Sequence, residues 1–172
     1  MKVRKPAVAG AFYAGRRPEL TDQIAQCFTH RFGPGKIPKP NEHGPRKVVG
    51  IVSPHAGYMY SGPVAANGYS RLAEDGRPEL FLILGPNHTG YGSGVSIQVE
   101  GAWETPLAIS EIDSLTAKKI QKDSNILDVD DSAHAYEHSI EVQLPFLQFL
   151  YKDAAKFVPI CMMMQDLKTS RE

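Results

Sequence analysis

Two short and strongly apolar runs stand out in the pattern of hydrophobic and polar positions along the chain. The first covers residues 48–52 (Val-Val-Gly-Ile-Val) and the second residues 80–84 (Leu-Phe-Leu-Ile-Leu). Runs of this kind, bounded by glycine and proline, are typical of strands buried on both faces, so we predict two central strands of one sheet. The alternating residues 95–99 predict a half-exposed strand. Residues 157–163 predict a last strand, in which Pro159 favours an edge or a bulge.

Apolar positions with helical spacing lie between and around these runs. They predict helices over about 18–32 and about 62–74, a short helix ending near residue 122, and a helix over about 137–151 that begins near Glu137. Strands that alternate with helices indicate an α/β fold with right-handed parallel crossovers. We therefore predict one domain over residues 1–172, a three-layer α/β/α sandwich with a mixed, mainly parallel central sheet.

The composition of the chain excludes some classes of function but does not identify one. The chain has 172 residues, and its 19 Lys and Arg balance 19 Asp and Glu, which argues against a nucleic-acid partner because such a partner needs a basic surface. No apolar run approaches the ~20 residues of a membrane helix, and no apolar stretch of a signal peptide follows the charged N-terminus. Cys27 and Cys161 form no paired motif and are expected to be buried and reduced, which fits a cytoplasmic protein without membrane contacts.

The candidate chemistry lies directly after the two predicted buried strands. Each strand ends in a turn of small residues that carries one histidine, His55 in the first and His88 in the second. Ligands of open α/β sheets bind outside the carboxyl ends of the strands, so the two imidazoles are expected to meet there. A single histidine in such a turn is usually structural, whereas two of them suggest a metal site. Iron, copper and zinc all accept imidazole.

Five short motifs occur along the chain in a fixed order. They are Ala-Gly-Ala-Phe-Tyr at 9–13, Pro-His-Ala-Gly-Tyr at 54–58, Leu-Gly-Pro-Asn-His at 84–88, Trp-Glu-Thr-Pro-Leu at 103–107 and Glu-His-Ser-Ile-Glu at 137–141. Together they resemble the motifs of the MEMO family, which is named for a mediator of cell motility and is widespread in archaea and bacteria. The fold of that family is similar to that of the class III extradiol non-haem iron dioxygenases. Phe12 and Tyr13 of the first motif are expected to pin the N-terminal segment to the core.

The resemblance implies a pocket with a bound metal. Iron or copper would be held by His55 and His88, while His138 and Glu141 would line the same pocket. His138 would either support the ligands or contact the substrate, and would not be a third ligand. A helix beginning near Glu137 would place His138 and Glu141 on one face, so that Glu141 orients the imidazole. The implied activity is that of a metal-dependent oxidoreductase, by descent a ring-opening dioxygenase acting on a small aromatic, catechol-like substrate.

The resemblance also leaves a second interpretation and raises one expectation about the chain. The family's motility members are similar to scaffolds that dock a phosphotyrosine peptide, so the pocket could instead bind a peptide or an anionic group without catalysis. MEMO proteins continue beyond the position of Glu172, and a further cysteine ligand and a pocket histidine lie in that later part. Cys161 does not match the cysteine motif. A sheet face that the later part covers is expected to be bare here and to favour homo-oligomers.

Overall fold

The computed structural model describes residues 1–152 and 156–172. The α-helices in this part of the chain are α1 (Arg17–Thr29), α2 (Tyr58–Asp75), α3 (Ser114–Asp123) and α4 (Leu144–Tyr151). The strands are β1 (Val3–Arg4), β2 (Leu80–Pro86), β3 (Val95–Ile97), β4 (Ala102–Glu104), β5 (Ile109–Glu111), β6 (Asp128–Val129) and β7 (Lys156–Met162). Short 3₁₀ turns lie at Asp131–Ala133, Glu141–Gln143 and Thr169–Arg171.

The strands form two sheets. The larger one has the order β2-β7-β3-β6, in which the β2–β7 and β3–β6 pairs are parallel and the β3–β7 pair is antiparallel. The smaller one has the order β1-β4-β5. Helices α1, α2 and α4 pack on one another, and α3 and β5 contact β7. The predicted α/β sandwich with a mixed, mainly parallel sheet is therefore confirmed. Within the described ranges no helix is both long and apolar enough to cross a lipid bilayer.

A cluster of aromatic rings joins the three packed helices. Phe146 of α4 lies 5.8 Å from the ring of Phe28 in α1, and 4.9 and 4.8 Å from Tyr58 and Tyr69 in α2. All four side chains are buried. Aromatic pairs at such distances stabilise a core by about 0.5–1.5 kcal/mol each beyond the burial of their area. The cluster therefore fixes the first turn of α2, which directly follows the His55 loop.

The first predicted strand is wrong. Residues 48–52 form neither a helix nor a strand and belong to neither sheet, and Val49 and Val52 are fully exposed. Only Ile51 packs inward, where its side chain faces Gly68 of α2. A strand requires a neighbour that completes its hydrogen bonds. Among the described residues no strand pairs with this run, although its apolar composition suits one.

Two helix starts also differ from the prediction. Helix α2 begins at Tyr58, about four residues early, because the Tyr58 N–H donates to Phe12 O at 2.7 Å and so anchors the first turn. The last helix begins at Leu144 rather than near Glu137. Before it the backbone forms a turn and a single 3₁₀ turn, so residues 138 and 141 do not share the face of an α-helix.

The missing N–H of Pro159 predicted an edge strand or a bulge, but the residue does not lie on an edge strand. It sits in β7, between β2 and β3, in register with Ile83. The pairing of β7 with β3 does not reach the proline. Strand β3 ends at Ile97, which pairs with Ile160, the residue directly after Pro159. The proline therefore occupies an inner strand at a point where one neighbouring strand has already ended.

Candidate metal centre

Three histidines from three separate segments meet at one end of β2. The rings of His55 and His88 are 5.1 Å apart, those of His88 and His138 4.6 Å, and those of His55 and His138 6.0 Å between centroids. His55 lies in the loop before α2, His88 lies just after β2, and His138 lies in the turn before α4. The structure thus places His138 closer to His88 than His55 is.

Buried side chains hold the three segments together. Gln143 donates its Nε2 to Pro54 O at 3.2 Å and to Ser139 O at 3.4 Å, which joins the first histidine loop to the turn of the third. Its Oε1 accepts a hydrogen bond from Tyr69 at 2.5 Å. Gln143 is itself buried. This role could not be predicted from the sequence, since a glutamine at the start of an apolar helix has no characteristic pattern.

The end of β2 holds the turn that carries the third histidine. Ser139 donates its Oγ to Pro86 O at 2.8 Å. Gly85 makes this contact possible, because a Cβ there would lie only 2.7 Å from Cγ1 of Ile140. Any larger residue at position 85 would push the turn away from the strand and separate the imidazoles.

Glu137 is the residue that the sequence interpretation missed. Its carboxylate is 1% exposed and accepts hydrogen bonds from the backbone N–H of His88, of His138 at 2.7 Å and of Ser139 at 2.8 Å. Its Oε1 also lies 3.0 Å from Nδ1 of His88. One buried carboxylate therefore joins the segment of His88 to the segment of His138. A usable signal existed, because Glu137 directly precedes His138 in the fifth motif.

The charge of Glu137 determines how His88 is oriented. Burial alone would raise the pKa of the Glu137 carboxyl, but the hydrogen bonds from His88, Ser139 and His138 lower it to about 2. The group is therefore an anion at neutral pH. An anion next to Nδ1 favours the proton on that nitrogen, which leaves the lone pair on Nε2 of His88.

The other two imidazoles are held neutral. Burial lowers the pKa of His55, and the neighbouring His88 lowers it further. Burial also lowers the pKa of His138, which Glu137 partly opposes. Metal ions bind the neutral imidazole. A lowered pKa therefore keeps both side chains able to bind a metal at pH values where an ordinary histidine is already protonated.

The donor atoms fit a transition metal. Ligand atoms of His88, Glu137 and His138 all lie within 4.8 Å of one another, and the ring centroid of His55 lies 5.1 Å from that of His88. Imidazole and carboxylate together suit iron, copper and zinc. The four hydrogen bonds that Glu137 already accepts favour a role in orienting the histidines, with the imidazoles as the principal donors.

Glu141 does not occupy the position that its expected role requires. Its carboxylate is 0% exposed and accepts hydrogen bonds from Arg4 at 2.7 Å, from Tyr13 at 2.7 Å, and from the N–H groups of Ala7 and Val8 at 2.8 and 3.0 Å. All of these donors belong to the N-terminal segment. The described hydrogen bonds of Glu141 include none with His138, the residue it was predicted to orient, whereas Oε1 of Glu137 lies 3.3 Å from Nδ1 of His138.

The N-terminal segment forms one wall of the site. Tyr13 is buried and pins the segment through Glu141, as the sequence predicted. The neighbouring ring of Phe12 lies 4.6 Å from the ring of His138. Anchoring by Glu141 therefore determines where Phe12 stands against the imidazole of His138, although the hydrogen bonds described for Glu141 include none with the three histidines.

Comparison with known proteins places this arrangement in a family. A family model described as Memo-like protein matches residues 4–172. The chain belongs to the MEMO family. A MEMO1 family protein of Methanopyrus kandleri is 54% identical over 169 residues, which cover 98% of this chain and 59% of that protein. A MEMO1 family protein of Sulfurisphaera tokodaii is 52% identical over 164 residues, 95% of this chain and 58% of that protein.

A third MEMO1 family protein, from Methanothermobacter thermautotrophicus, is 49% identical over 170 residues, which cover 99% of this chain and 60% of that protein. The chain thus spans about three fifths of the length of these MEMO relatives. Three of the five MEMO motifs, at 54–58, 84–88 and 137–141, carry the histidines that meet at the site. The first motif supplies Phe12, which lies beside His138, and Tyr13, which donates to Glu141.

A further histidine, His134, is buried away from the cluster. It is 1% exposed, and neither ring nitrogen has a hydrogen-bond partner among the described residues. Burial and the nearby charge of Arg4 lower the pKa of its imidazole to about 4. Its ring lies 5.8 Å from Trp103, so the folded protein holds it as a neutral core residue.

We expect His134 to make the protein less stable in mild acid. A histidine whose pKa is lowered by folding contributes its full stability above about 6.5, and that contribution is lost as the pH falls from there toward about 4. Between pH 7 and pH 5 the loss amounts to about 2 kcal/mol. Urea unfolding of the wild type and of His134→Phe at both pH values measures it. Equal pH dependence in the two proteins would contradict the prediction, and His30→Phe, at an exposed position, serves as the matched control.

Proposed function

We propose that the chain is a metal-binding MEMO protein in which His55, His88 and His138 hold iron or copper for redox chemistry on a small aromatic substrate. The observation that carries the proposal is the meeting of three imidazoles whose ring centroids lie 4.6–6.0 Å apart. This differs from the expectation from sequence, in which His138 lined the pocket beside two histidine ligands and was not itself a ligand.

Each protein group has a defined task in this proposal. Glu137 holds His88 with Nε2 as its free donor, and His55 and His138 contribute neutral rings. Iron or copper, when bound, would supply the one-electron chemistry and the affinity for dioxygen that side chains lack. The His88 side chain is 43% exposed, so a planar substrate can reach the cluster from solvent. Phe12 offers such a substrate an aromatic surface next to His138.

The alternative is a binding module that docks a peptide or an anionic group in the same pocket. It would require protonated imidazoles to attract the anion. The pKa values of His55 and His138 are lowered, so both rings are neutral at pH 7, and the buried Glu137 adds a negative charge beneath them. The electrostatics of the cluster therefore favour a cation over an anion.

Anaerobic titration of the chain with Fe(II), and aerobic titration with Cu(II), tests the metal proposal. We expect one ion per chain and, for Cu(II), electron paramagnetic resonance splitting from imidazole nitrogen. Oxygen uptake by the Fe(II) form with a panel of catechols tests the dioxygenase activity, with His55→Ala as the control. Absence of a stoichiometric site would overturn the proposal. A metal site without oxygen uptake above that control would retain metal binding and remove the dioxygenase activity.

A further inference from the structure

His134 is a buried polar residue that the proposed metal site does not use, although it lies only three positions before Glu137. Its side chain is 1% exposed, and within the described ranges neither ring nitrogen has a hydrogen-bond partner. An unpaired polar group in the interior destabilises a fold, and an apolar residue of similar size would avoid that cost. Buried groups of this kind often have a functional reason, so we asked which contacts a proton on this ring would change.

The guanidinium of Arg4 joins three points of the segment that follows His134. It donates to the carbonyl oxygens of His134 and Glu137 at 2.7 and 2.6 Å. It also pairs with the carboxylate of Glu141 at 2.7 Å. We call these three contacts the Arg4 clamp. The clamp fixes the backbone of Glu137, whose side chain orients the histidines of the cluster.

A charge on His134 would lie close to the charge of Arg4. The guanidinium carbon lies 4.1 Å from the centroid of the Trp103 ring, and the His134 ring lies 5.8 Å from the same ring. Burial and the neighbouring Arg4 lower the pKa of His134 to about 4, against an ordinary value of about 6.5. Like charges repel strongly where water is excluded, so a proton on His134 acts directly on the clamp.

The acidic groups next to His134 are already engaged elsewhere. Asp130 and Asp131 favour the charged ring, but the repulsion by Arg4 is larger than the attraction by Asp131. Asp130 accepts hydrogen bonds from the N–H and the hydroxyl of Ser132 at 2.8 and 2.6 Å. Asp131 pairs with Lys2 at 2.6 Å on the surface. Neither carboxylate therefore neutralises a proton on the buried ring.

The strands around His134 contribute no anion in the part of the chain that the structure describes. The backbone of Ser96 in β3 favours the charged ring but makes no hydrogen bond with it. Trp103 in β4 is uncharged. Cys161 in β7 contacts the residue before His134, and burial raises the pKa of its thiol to about 12, so that it stays neutral. A protonated His134 is therefore stable only where its ring reaches water.

We propose that His134 is an acid-sensitive release for the metal site, in which a proton on its ring opens the Arg4 clamp and loosens the turn before α4. The inference rests on the proposed metal function and concerns the regulation of that same site. In the open form the ring takes up one proton from solvent, and no other bond forms or breaks. The closed form, with its neutral ring, prevails at neutral pH and holds Glu137 and His138 in place.

The two pKa values of His134 set the size of the effect. The ring titrates at about 4 in the closed form and at about 6.5 once it reaches water. Because the lower value belongs to the closed form, that form is favoured above pH 6.5 and loses its advantage as the pH falls toward 4. Between pH 7 and pH 5 the population of the open form should rise about 20-fold.

Hydrogen exchange of the metal-free chain tests the opening. The amides of His138, Ser139 and Val142 are the probes, since each donates a hydrogen bond within the turn. After correction for intrinsic exchange rates, we expect their protection to fall about 20-fold from pH 7 to pH 5, and that of core amides in α1 to fall less. An equal fall in α1 would indicate global unfolding alone and would overturn the proposal.

Two variants without a titrating ring provide the control for this experiment. His134→Phe replaces the imidazole with an apolar ring, and His134→Gln keeps a polar side chain that does not titrate, in case the first variant fails to fold. In either one the fall in protection of the turn should be at least about fivefold smaller than in the wild type. The same fall in a folded variant would show that another group is responsible and would contradict the proposal.

The rate at which the chain loses Cu(II) to excess EDTA connects the opening to the metal site. Protonation of the ligand imidazoles accelerates release in every variant, so the rates are compared as ratios between pH 5 and pH 7. We expect this ratio to be at least about fivefold larger in the wild type, and in the exposed-site control His30→Phe, than in His134→Phe. Equal ratios in a chain that binds copper would remove this inference alone, whereas failure to bind Cu(II) stoichiometrically would remove the proposed function.

Discussion

Replacing His88 by alanine is expected to lower the affinity of the chain for Fe(II) or Cu(II) roughly 100-fold or more, beyond the 10- to 100-fold range that loss of an orienting group causes. His88 is the central ring of the cluster, with neighbours at 5.1 and 4.6 Å. It is also the ring that Glu137 holds through its backbone N–H and its Nδ1. Its loss removes one donor and leaves His55 and His138 6.0 Å apart between centroids.

Glu137→Gln gives a graded comparison for this prediction. The amide keeps the size of the side chain, but its NH₂ group faces backbone N–H donors and its neutral charge no longer favours the proton on Nδ1 of His88. We expect affinity to fall about 10- to 100-fold, less than for His88→Ala. His43→Ala is the matched control, because His43 lies in an exposed loop. Calorimetric titration at fixed pH measures all three. Unchanged affinity in His88→Ala would remove the cluster as the metal site.

The sequence predicted well what depends on local composition. The continuous run at 80–84 is a strand, β2, and the histidine that follows it stands at the carboxyl end of that strand, where ligands of α/β sheets bind. The meeting of His88 with His55 followed from this rule even though the run before His55 forms no strand. The loop that carries His55 is positioned instead by α2 and Gln143, which replace the missing strand as a support.

The predictions failed where the local structure depends on contacts with distant parts of the chain. Residues 48–52 have the composition of a buried strand, but whether they pair is decided by what lies beside them. The expected pairing of His138 with Glu141 assumed an α-helix from residue 137. The contacts that direct Glu141 come from residues more than 125 positions earlier, which no local spacing reveals.

The same distance explains why Glu137 was overlooked. Its partners are the neighbouring backbone and the segment of His88, 49 residues earlier. Only the closure of the turn against β2 brings these together. A carboxylate directly before a histidine in a motif is worth testing as an orienting group whenever that histidine is expected in a buried site.

Replacing Glu141 by glutamine is expected to cost about 3–5 kcal/mol of unfolding free energy, the range for breaking a buried ion pair on one side. The Arg4 side chain is only 8% exposed and lies 2.7 Å from the fully buried Glu141 carboxylate. Arg4 cannot easily turn away, because it also donates to the carbonyls of His134 and Glu137 and lies 4.1 Å from the centre of the Trp103 ring. A neutral amide would leave its charge in the interior without an anion.

The hydrogen bonds to the N-terminal segment enlarge the effect. Glutamine offers one acceptor oxygen where Glu141 now serves Tyr13 and the N–H groups of Ala7 and Val8, so at least one of these donors loses its partner. Exchange of amides 7–14 should accelerate, and the Phe12 wall beside His138 should loosen with it.

Urea unfolding of Glu141→Gln against the wild type measures this cost. Glu100→Gln is the matched control, since Glu100 pairs with Lys118 at 3.4 Å on the surface and its loss should change stability by less than about 1 kcal/mol. Arg4→Met combined with Glu141→Gln removes the buried charge together with its partner. Because an uncompensated charge is the main cost, the double variant should be more stable than Glu141→Gln alone. If Glu141→Gln loses less than 1 kcal/mol, or the double variant is less stable than Glu141→Gln alone, the ion pair does not anchor the N-terminal segment as its geometry indicates.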